Sequence, residues 1–117
     1  MLVDDSTTVL LSISAILQKA GYSTKQASNA EAAMAEFNKG FKPDLLITDL
    51  HMPGMNGIEF IKCVRKLPTH KFMPILFLTT ESHQEKRMEA KAAGASGWLV
   101  KPVQADALLQ TLGVVLR

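Results

Sequence analysis

The chain has 117 residues, a hydrophobic share of 47% and a formal net charge of +2 at pH 7. This is the length of one domain that buries roughly two-thirds of its unfolded surface, and the composition argues against a disordered chain. The near-neutral charge argues against a nucleic-acid surface, no apolar run approaches the length of a membrane span, and no secretory signal is visible.

Five segments have the composition of β-strands, and a helical pattern follows each of them. The predicted strands are residues 1–3, 22–27, 45–49, 74–78 and 97–100. The second is the most polar and is therefore expected at an edge of the sheet. The fourth is wholly apolar, as a strand covered by helices on both faces requires.

Capping residues mark the first two helices. Ser6 and Asn29 are expected N-caps, and Gly21 and Gly40 stand where these helices are expected to end. The helical spacing of apolar residues in the first helix predicts an inward face. That face consists of Val9, Ile13, Ile16, Leu17 and Ala20.

Three further helices are expected, from about residue 58 to 66, from about His83 to 93, and from about Gln104 to the end of the chain. The complete pattern is a strand followed by a helix, repeated five times. It predicts a single α/β domain with a doubly wound parallel sheet, helices on both faces and right-handed crossovers.

Four of the five predicted strands end in a chemically useful side chain. Asp4 and Asp5 follow the first strand, Asp49 ends the third, Thr79 follows the fourth and Lys101 follows the fifth. In open parallel α/β sheets, ligands bind outside the carboxyl ends of the strands. We therefore expect three carboxylates, a hydroxyl and an ammonium group to converge at one edge of the sheet.

Three carboxylates at one edge repel one another and call for a cation. Two like charges about 4 Å apart cost on the order of 4 kcal/mol at an effective dielectric constant of 20. A site of carboxylates and a loop carbonyl suits Mg²⁺, with Mn²⁺ as an alternative ion. Such an ion also offsets the charge of an incoming phosphoryl group. The sequence thus predicts that Asp49 accepts a phosphoryl group whose oxygens are held by Lys101 and Thr79.

Each residue by itself also has an ordinary structural interpretation. Asp49 suits a turn, Thr79 the end of a strand, and Lys101 a solvated position. His51 is expected to be an exposed loop residue whose ring does not bind Mg²⁺. Cys63, the single cysteine, is expected to pack on a helix face; it excludes an internal disulfide and fits a reducing compartment, so we expect a cytoplasmic protein. The structural interpretations are independent of one another, so all of them would have to be correct to explain the side chains at four strand ends. A single functional site explains these side chains together and is therefore preferred.

The sequence resembles the receiver domains of two-component response regulators over its entire length, residues 1–117. The matching segments are residues 2–6 (LVDDS), 49–57 (DLHMPGMNG), 78–80 (LTT) and 94–102 (GASGWLVKP). The resemblance implies a flavodoxin-like fold with strand order 2-1-3-4-5. It also implies either a chemotaxis-type regulator that consists of one domain or a receiver separated from a larger protein.

The resemblance further implies how the predicted site works. Asp49 would be phosphorylated by a histidine kinase or a histidine phosphotransfer protein. Asp5, Asp49 and the backbone carbonyl of His51 would bind Mg²⁺, with Asp4 acting mainly through water. Lys101 would pair with the phosphoryl group. The protein would be a regulator that catalyses only its own phosphorylation and dephosphorylation, as a monomer or weak dimer without direct binding to nucleic acid or membrane.

The switch and its output are also implied by the resemblance. Thr79 would move towards the phosphoryl group, Trp98 would swing inward behind it, and the bond from Lys101 to Pro102 would be cis. A target protein would bind the face formed by the fourth helix, the fifth strand and the fifth helix.

The chain departs from the usual family pattern at several positions. Trp98 replaces the usual Tyr or Phe, Thr80 stands in place of Ala or Gly, and Asn56 replaces a common Asp. His51 and Glu81 hold positions that tune the lifetime of the phosphoryl group in this family.

Three other classes of protein fit the sequence less well. Phosphatases that resemble haloacid dehalogenases carry a second Asp two residues after the nucleophile, where this chain has His51. A flavin or nucleotide module would have a glycine-rich loop after the first strand, where this chain has Asp4 and Asp5. A pseudo-receiver scaffold that works without phosphorylation would normally lack Asp49 or Lys101.

Overall fold

The computed structural model describes residues 1–52, 54–80 and 84–116. The strands are β1 (Leu2–Val3), β2 (Gln26–Ala27), β3 (Leu46–Asp49), β4 (Ile75–Thr79) and β5 (Gly97–Val100). The helices are α1 (Thr7–Lys19), α2 (Ala30–Asn38), α3 (Gly57–Arg65), α4 (Gln84–Ala93) and α5 (Ala105–Val115), with a short 3₁₀ helix at Pro68–His70. The expected start of the fourth helix at His83 lies outside the described residues.

The strands form one parallel sheet in the order β2-β1-β3-β4-β5. This confirms the predicted doubly wound α/β fold and its strand order. Because β1 pairs directly with β3, the residues that follow these two strands are neighbours at the carboxyl edge. Because β4 lies between β3 and β5, the end of β5 is two strands away from the end of β3.

Side-chain caps explain where three of the helices begin. The Ser6 hydroxyl oxygen accepts a hydrogen bond from the backbone N–H of Val9 at 3.3 Å. Asn29 Oδ1 accepts the N–H of Ala32 at 2.7 Å, which begins α2 as predicted. Asn56 caps α3 in the same way, so the Asn found where Asp is common preserves a capping oxygen.

Alternate residues of the buried strands face two separate cores. Ile47 and Leu78 face the core that α1 and α5 cover, with Leu10, Ile13, Leu108 and Leu112 from these helices. Leu46 and Phe77 face the other core, which is covered by α2, α3 and α4 and includes Phe37, Phe60, Ile61 and Ala90. The sheet is therefore covered by helices on both faces, as the apolar segment at residues 74–78 predicts.

The structure differs from the sequence expectations in local details. β2 comprises only Gln26 and Ala27, because its partner β1 offers two paired residues, Leu2 and Val3. Ala20 is exposed, and Leu10, absent from the expected inward face of α1, is buried instead. Among the helices that the structure describes, none is long and apolar enough to cross a membrane.

Candidate phosphorylation site

The acids that follow β1 and end β3 lie side by side at the carboxyl edge of the sheet. One carboxylate oxygen from each of Asp4, Asp5 and Asp49 lies within 4.8 Å of the other two. Asp4 is 2% exposed and Asp49 is 6% exposed, whereas Asp5 faces solvent. The cluster therefore combines two desolvated carboxyl groups with one that remains hydrated.

Backbone amides orient the two buried carboxyl groups. The N–H of Ser6 donates to Asp4 Oδ1 at 2.9 Å, and the N–H of Leu50 donates to Asp49 Oδ1 at 2.9 Å. A hydrogen bond to an ionised acceptor is stronger than one between neutral groups. These bonds fix the direction of each carboxyl group at the point where its strand ends.

Lys101 reaches this cluster from the end of β5. Its Nζ lies 2.8 Å from Asp4 Oδ2 and 3.4 Å from Asp49 Oδ1. The peptide bond between Lys101 and Pro102 is cis, as the family resemblance implies. The lysine thus faces Asp49 as expected, but its shorter contact is to Asp4, a pairing that the sequence did not indicate.

Burial and charge act on the titration of the cluster. Burial and the nearby charge of Asp4 raise the pKa of Asp49 above its usual value, although Lys101 and the Leu50 N–H act in the opposite direction. Burial alone lowers the pKa of Lys101, but its hydrogen bond to Asp4 and the two carboxylate charges outweigh burial and raise it. The surroundings of Asp49 therefore disfavour its negative charge, while those of Lys101 favour its positive charge.

Thr79 ends β4, the strand between Asp49 and Lys101. It is 1% exposed, and its backbone carbonyl accepts the N–H of Lys101 at 2.7 Å. This hydrogen bond ties the end of β5 to the end of β4. Thr80, the next residue, is exposed.

Two further residues, His51 and Glu81, are expected to complete the site. His51 lies in the loop directly after β3 and is exposed, so its loop position agrees with the sequence, while the role of its backbone carbonyl stays a prediction. Glu81, expected to tune the phosphoryl lifetime, lies outside the described residues.

Two residues that the sequence argument did not select pack against the turn after Asp49. Gly57 begins α3, and a Cβ atom built on it would lie 2.7 Å from Cε1 of Phe77 and would collide with the backbone oxygen of Asp49. Phe77 is fully buried, and its ring centroid lies 5.9 Å from that of Trp98. The sequence signal for this close packing was the glycine at the start of the third helix. Glycine lowers the stability of a helix, so its presence there suggests that a side chain would not fit.

The donor set of this edge fits a divalent cation. Three carboxylates against one ammonium leave a formal excess of two negative charges in the cluster. Carboxylate oxygens, one of them well hydrated, are the ligands that Mg²⁺ prefers. The chemistry of the residues present therefore agrees with a magnesium ion beside Asp49.

A cavity in the described part of the chain lies away from this site. It has a volume of about 840 Å³ and is lined by residues that precede the strands, including Tyr22, Lys25, Phe41 and Phe72. None of the predicted site residues that the structure describes lines it. Its place at the amino edge of the sheet separates it from the acid cluster.

Comparison with known families identifies the family of this chain. The sequence model described as "Response regulator receiver domain" matches residues 1–113. The chain belongs to this family. Its members are generally Mg²⁺-dependent, and they interact with histidine kinases or phosphotransfer proteins and with downstream targets. The family assignment is consistent with a phosphorylation-dependent signalling switch and with a regulator.

Individual receiver proteins resemble this chain over nearly its full length. Protein PilH of Pseudomonas aeruginosa is 32% identical over 116 residues, which cover 99% of this chain and 95% of PilH. Chemotaxis protein CheY-3 of Vibrio cholerae is 34% identical, with 100% and 90% covered. The crystal structure of chemotaxis protein CheY4 of Vibrio cholerae superposes with a TM-score of 0.94 at 47% identity, with 98% and 95% covered.

Proposed function

We propose that Asp49 is phosphorylated by a histidine kinase or a histidine phosphotransfer protein, and that residues 1–117 form one receiver domain that signals this event. The observation that supports the proposal most directly is the position of the Asp49 carboxyl group. It lies at a strand end, 3.4 Å from Lys101 Nζ and beside two further acids. This receiver acts as a regulator, and its own phosphorylation and dephosphorylation are the only reactions that it promotes.

The transfer forms one bond and breaks another. A carboxylate oxygen of Asp49 attacks the phosphorus atom of the donor, and the bond from phosphorus to the donor's histidine nitrogen breaks. The nitrogen keeps the electron pair of that bond, and because the other ring nitrogen of the protonated phosphohistidine carries a proton, the donor leaves as neutral imidazole. Lys101 is close enough to exchange its contact with Asp4 for one with a phosphoryl oxygen, and the Thr79 hydroxyl provides a second hydrogen bond there.

A magnesium ion would be held by Asp5, Asp49 and the backbone carbonyl of His51, with Asp4 acting through water. Bound there, the ion neutralises charge on the carboxylates and on the transferred group. The two buried acids are fixed by backbone hydrogen bonds, so they need little rearrangement to serve as ligands.

Phosphorylation changes the charge of this edge, and the neighbouring strands respond to it. A phosphoryl group brings about −1.5 to −2 charges at neutral pH. Driving a two-state element from mostly off to mostly on takes about 5.5 kcal/mol of differential interaction. New contacts from Thr79 and Lys101, with repacking of Trp98, supply energy of this order. The face of α4, β5 and α5, which Trp98 adjoins, is the proposed binding surface for a target protein.

The decisive experiment measures covalent phosphorylation. The protein is incubated with acetyl phosphate or phosphoramidate and Mg²⁺, and its intact mass is recorded for wild type, Asp49→Ala and Asp44→Ala. Asp44 is an exposed acid ahead of β3 and serves as the matched control. We expect one phosphoryl adduct on the wild type and the Asp44 variant, and none on the Asp49 variant. An equal adduct on Asp49→Ala, or none on the wild type, would rule out the assignment.

A second arm tests the metal. Titration with Mg²⁺ is expected to quench the fluorescence of Trp98, the single tryptophan. Asp5→Ala removes a proposed ligand while leaving the two buried carboxyl groups in place, so it should weaken the titration. An unchanged titration would contradict the metal site. The same proposal places the protein in the cytoplasm as a monomer or weak dimer, where its phosphodonor would meet it.

A further inference from the structure

We propose that Arg87 is a positioning residue for Trp98, and that this contact makes α4 part of the switch. The proposal rests on the proposed function, because it assigns a regulatory role beside the Asp49 site. Arg87 lies on α4 and is exposed, and Trp98 lies on β5 and is half-buried. The guanidinium carbon of Arg87 lies 5.8 Å from the centre of the Trp98 ring.

This distance places the cation over the face of the aromatic ring. A cation within about 6 Å of a tryptophan ring is attracted by the negative face of the ring, and arginine adds planar stacking. Glutamine or lysine at this position would lose the charge or the planar stacking, respectively. The contact therefore depends on arginine in particular, and it links a side chain of α4 to a side chain of β5.

The Trp98 ring also contacts a side chain that packs near the acceptor residue. The Trp98 ring packs against Phe77, with 5.9 Å between centroids and 56° between planes. Phe77 in turn packs on the start of α3, since a Cβ on Gly57 would lie 2.7 Å from its Cε1 atom and against the backbone oxygen of Asp49. The ring of Trp98 thus contacts both the guanidinium of Arg87 and a phenyl ring that packs beside the turn after Asp49.

A contact that favours one position of the Trp98 ring also affects the equilibrium of phosphorylation at Asp49. The position seen here accompanies Lys101 paired with Asp4 at 2.8 Å. When the phosphoryl group draws Lys101 and Thr79 to itself, Trp98 must leave this position for the switch to complete its change. Arg87 stabilises the resting arrangement, and by reciprocity it weakens occupation of Asp49 by a phosphoryl group to the same extent.

The size of the effect follows from the exposure of Arg87. A cation–π contact at an exposed site contributes about 0.5–1 kcal/mol, which corresponds to a factor of about two to five in an equilibrium constant. Arg87→Gln is therefore expected to lower the resting ring population by about two- to fivefold relative to the alternative position. The same substitution should lower the midpoint of a titration with a phosphoryl analogue by a similar factor.

The test uses the whole chain labelled with 5-fluorotryptophan, since Trp98 is its single tryptophan. Fluorine NMR measures the ring populations without ligand and during titration with beryllofluoride and Mg²⁺. The variants are Arg87→Gln, Arg87→Lys and, as the matched control, Lys86→Gln. Lys86 lies on the same helix, where it pairs with Glu89 at 3.5 Å. Its replacement by glutamine removes one positive charge from α4, as Arg87→Gln does.

We expect Arg87→Gln to change the ring populations and lower the titration midpoint, Arg87→Lys to fall between it and the wild type, and Lys86→Gln to match the wild type. Equal ring populations in Arg87→Gln and wild type would overturn the proposal, as would an equal shift in Lys86→Gln. If beryllofluoride leaves the wild-type spectrum unchanged at every concentration, the proposed function fails, while the populations without ligand still decide whether Arg87 holds the ring. Thermal melts of the variants show that each is folded.

Discussion

Replacement of Asp49 by asparagine removes a negative charge from the acid cluster while keeping the size of the side chain. We expect the Asp49→Asn variant to be more stable than the wild type at pH 7 in the absence of divalent cations. The amide oxygen of asparagine can still accept the N–H of Leu50, which lies 2.9 Å from Asp49 Oδ1. The prediction therefore isolates the effect of the charge.

The magnitude follows from the distances within the cluster. At an effective dielectric constant of 20, Lys101 at 3.4 Å attracts the Asp49 carboxylate by about 5 kcal/mol. A charge on Asp4, no more than 4.8 Å away, repels it by at least about 3.5 kcal/mol. Asp5 adds a further repulsion that water screens, so the Coulomb contributions largely cancel. The loss of hydration at a carboxyl group that is 6% exposed then decides the sign.

We expect a gain of about 1 kcal/mol, which corresponds to an increase in Tm of roughly 3–5 °C for a chain of 117 residues. Thermal unfolding followed by circular dichroism measures it. Asp5→Asn is the matched control within the cluster, because its carboxyl group is exposed and its replacement should have a smaller effect. A lower Tm for Asp49→Asn than for the wild type would show that attraction by Lys101 dominates, which would refute this reasoning.

The pH dependence of this difference has a definite sign. Because the pKa of Asp49 is raised in the folded protein, the folded state binds its proton more tightly than the unfolded state does. The carboxyl group therefore destabilises the fold progressively as the pH rises from its unfolded pKa of 3.8 through the raised folded value. The advantage of Asp49→Asn should be fully present above that window and should vanish below it.

Magnesium ions should reverse the order of stability. An ion that binds only the folded protein stabilises it by about 1.4 kcal/mol at ten times its Kd. The wild type gains this in full, whereas Asp49→Asn lacks one of the proposed carboxylate ligands. We therefore expect the wild type to become the more stable of the two at high Mg²⁺ concentration. Melting curves with and without the ion test this reversal.

Two further predictions concern stability. Gly57→Ala should lower the free energy of unfolding by about 1–3 kcal/mol, because its methyl group would meet the Phe77 ring. Gly113→Ala in α5 is the control and should be neutral or stabilising, because open space surrounds Gly113. Equal urea midpoints for the two variants would contradict the steric argument. Arg65→Met should destabilise the protein by about 2 kcal/mol, because the guanidinium donates two hydrogen bonds to the Gly94 carbonyl, at 2.7 and 3.2 Å. Hydrogen exchange at the carboxyl end of α4 should accelerate, and unchanged exchange there would show that Arg65 does not anchor this helix.

The placement of the acids was predictable because parallel strands align their carboxyl ends whatever the side chains are. Asp4, Asp5, Asp49 and Lys101 needed only the order of the strands to be brought together. The preference of Lys101 for Asp4 could not be predicted, because it depends on differences below 1 Å between two neighbouring carboxyl groups. The periodicity of the sequence gives no information on distances at this scale.

The packing around Trp98 was equally inaccessible to the sequence. Arg87 lies on an element whose exposed face carries several charges, and periodicity does not tell which of them crosses to β5. Phe77 appeared only as one apolar residue in a buried strand. Its contact with the turn after Asp49 depends on the missing Cβ of Gly57, which becomes meaningful only once α3 is placed.

The shorter contact of Lys101 with Asp4 explains how this edge can hold an unfavourable charge and still respond to a new one. Asp4 is buried, fixed by the Ser6 N–H and bonded to Lys101, so this pair is satisfied without Asp49. Asp49 retains only a longer contact with the lysine, and its surroundings raise its pKa. A carboxyl group in this position is expected to gain more from a nearby cation, or from a phosphoryl group that Lys101 contacts, than one already paired would gain. The cluster therefore combines a buried carboxyl group whose negative charge is unfavourable with a lysine, two strands away, that contacts both buried acids.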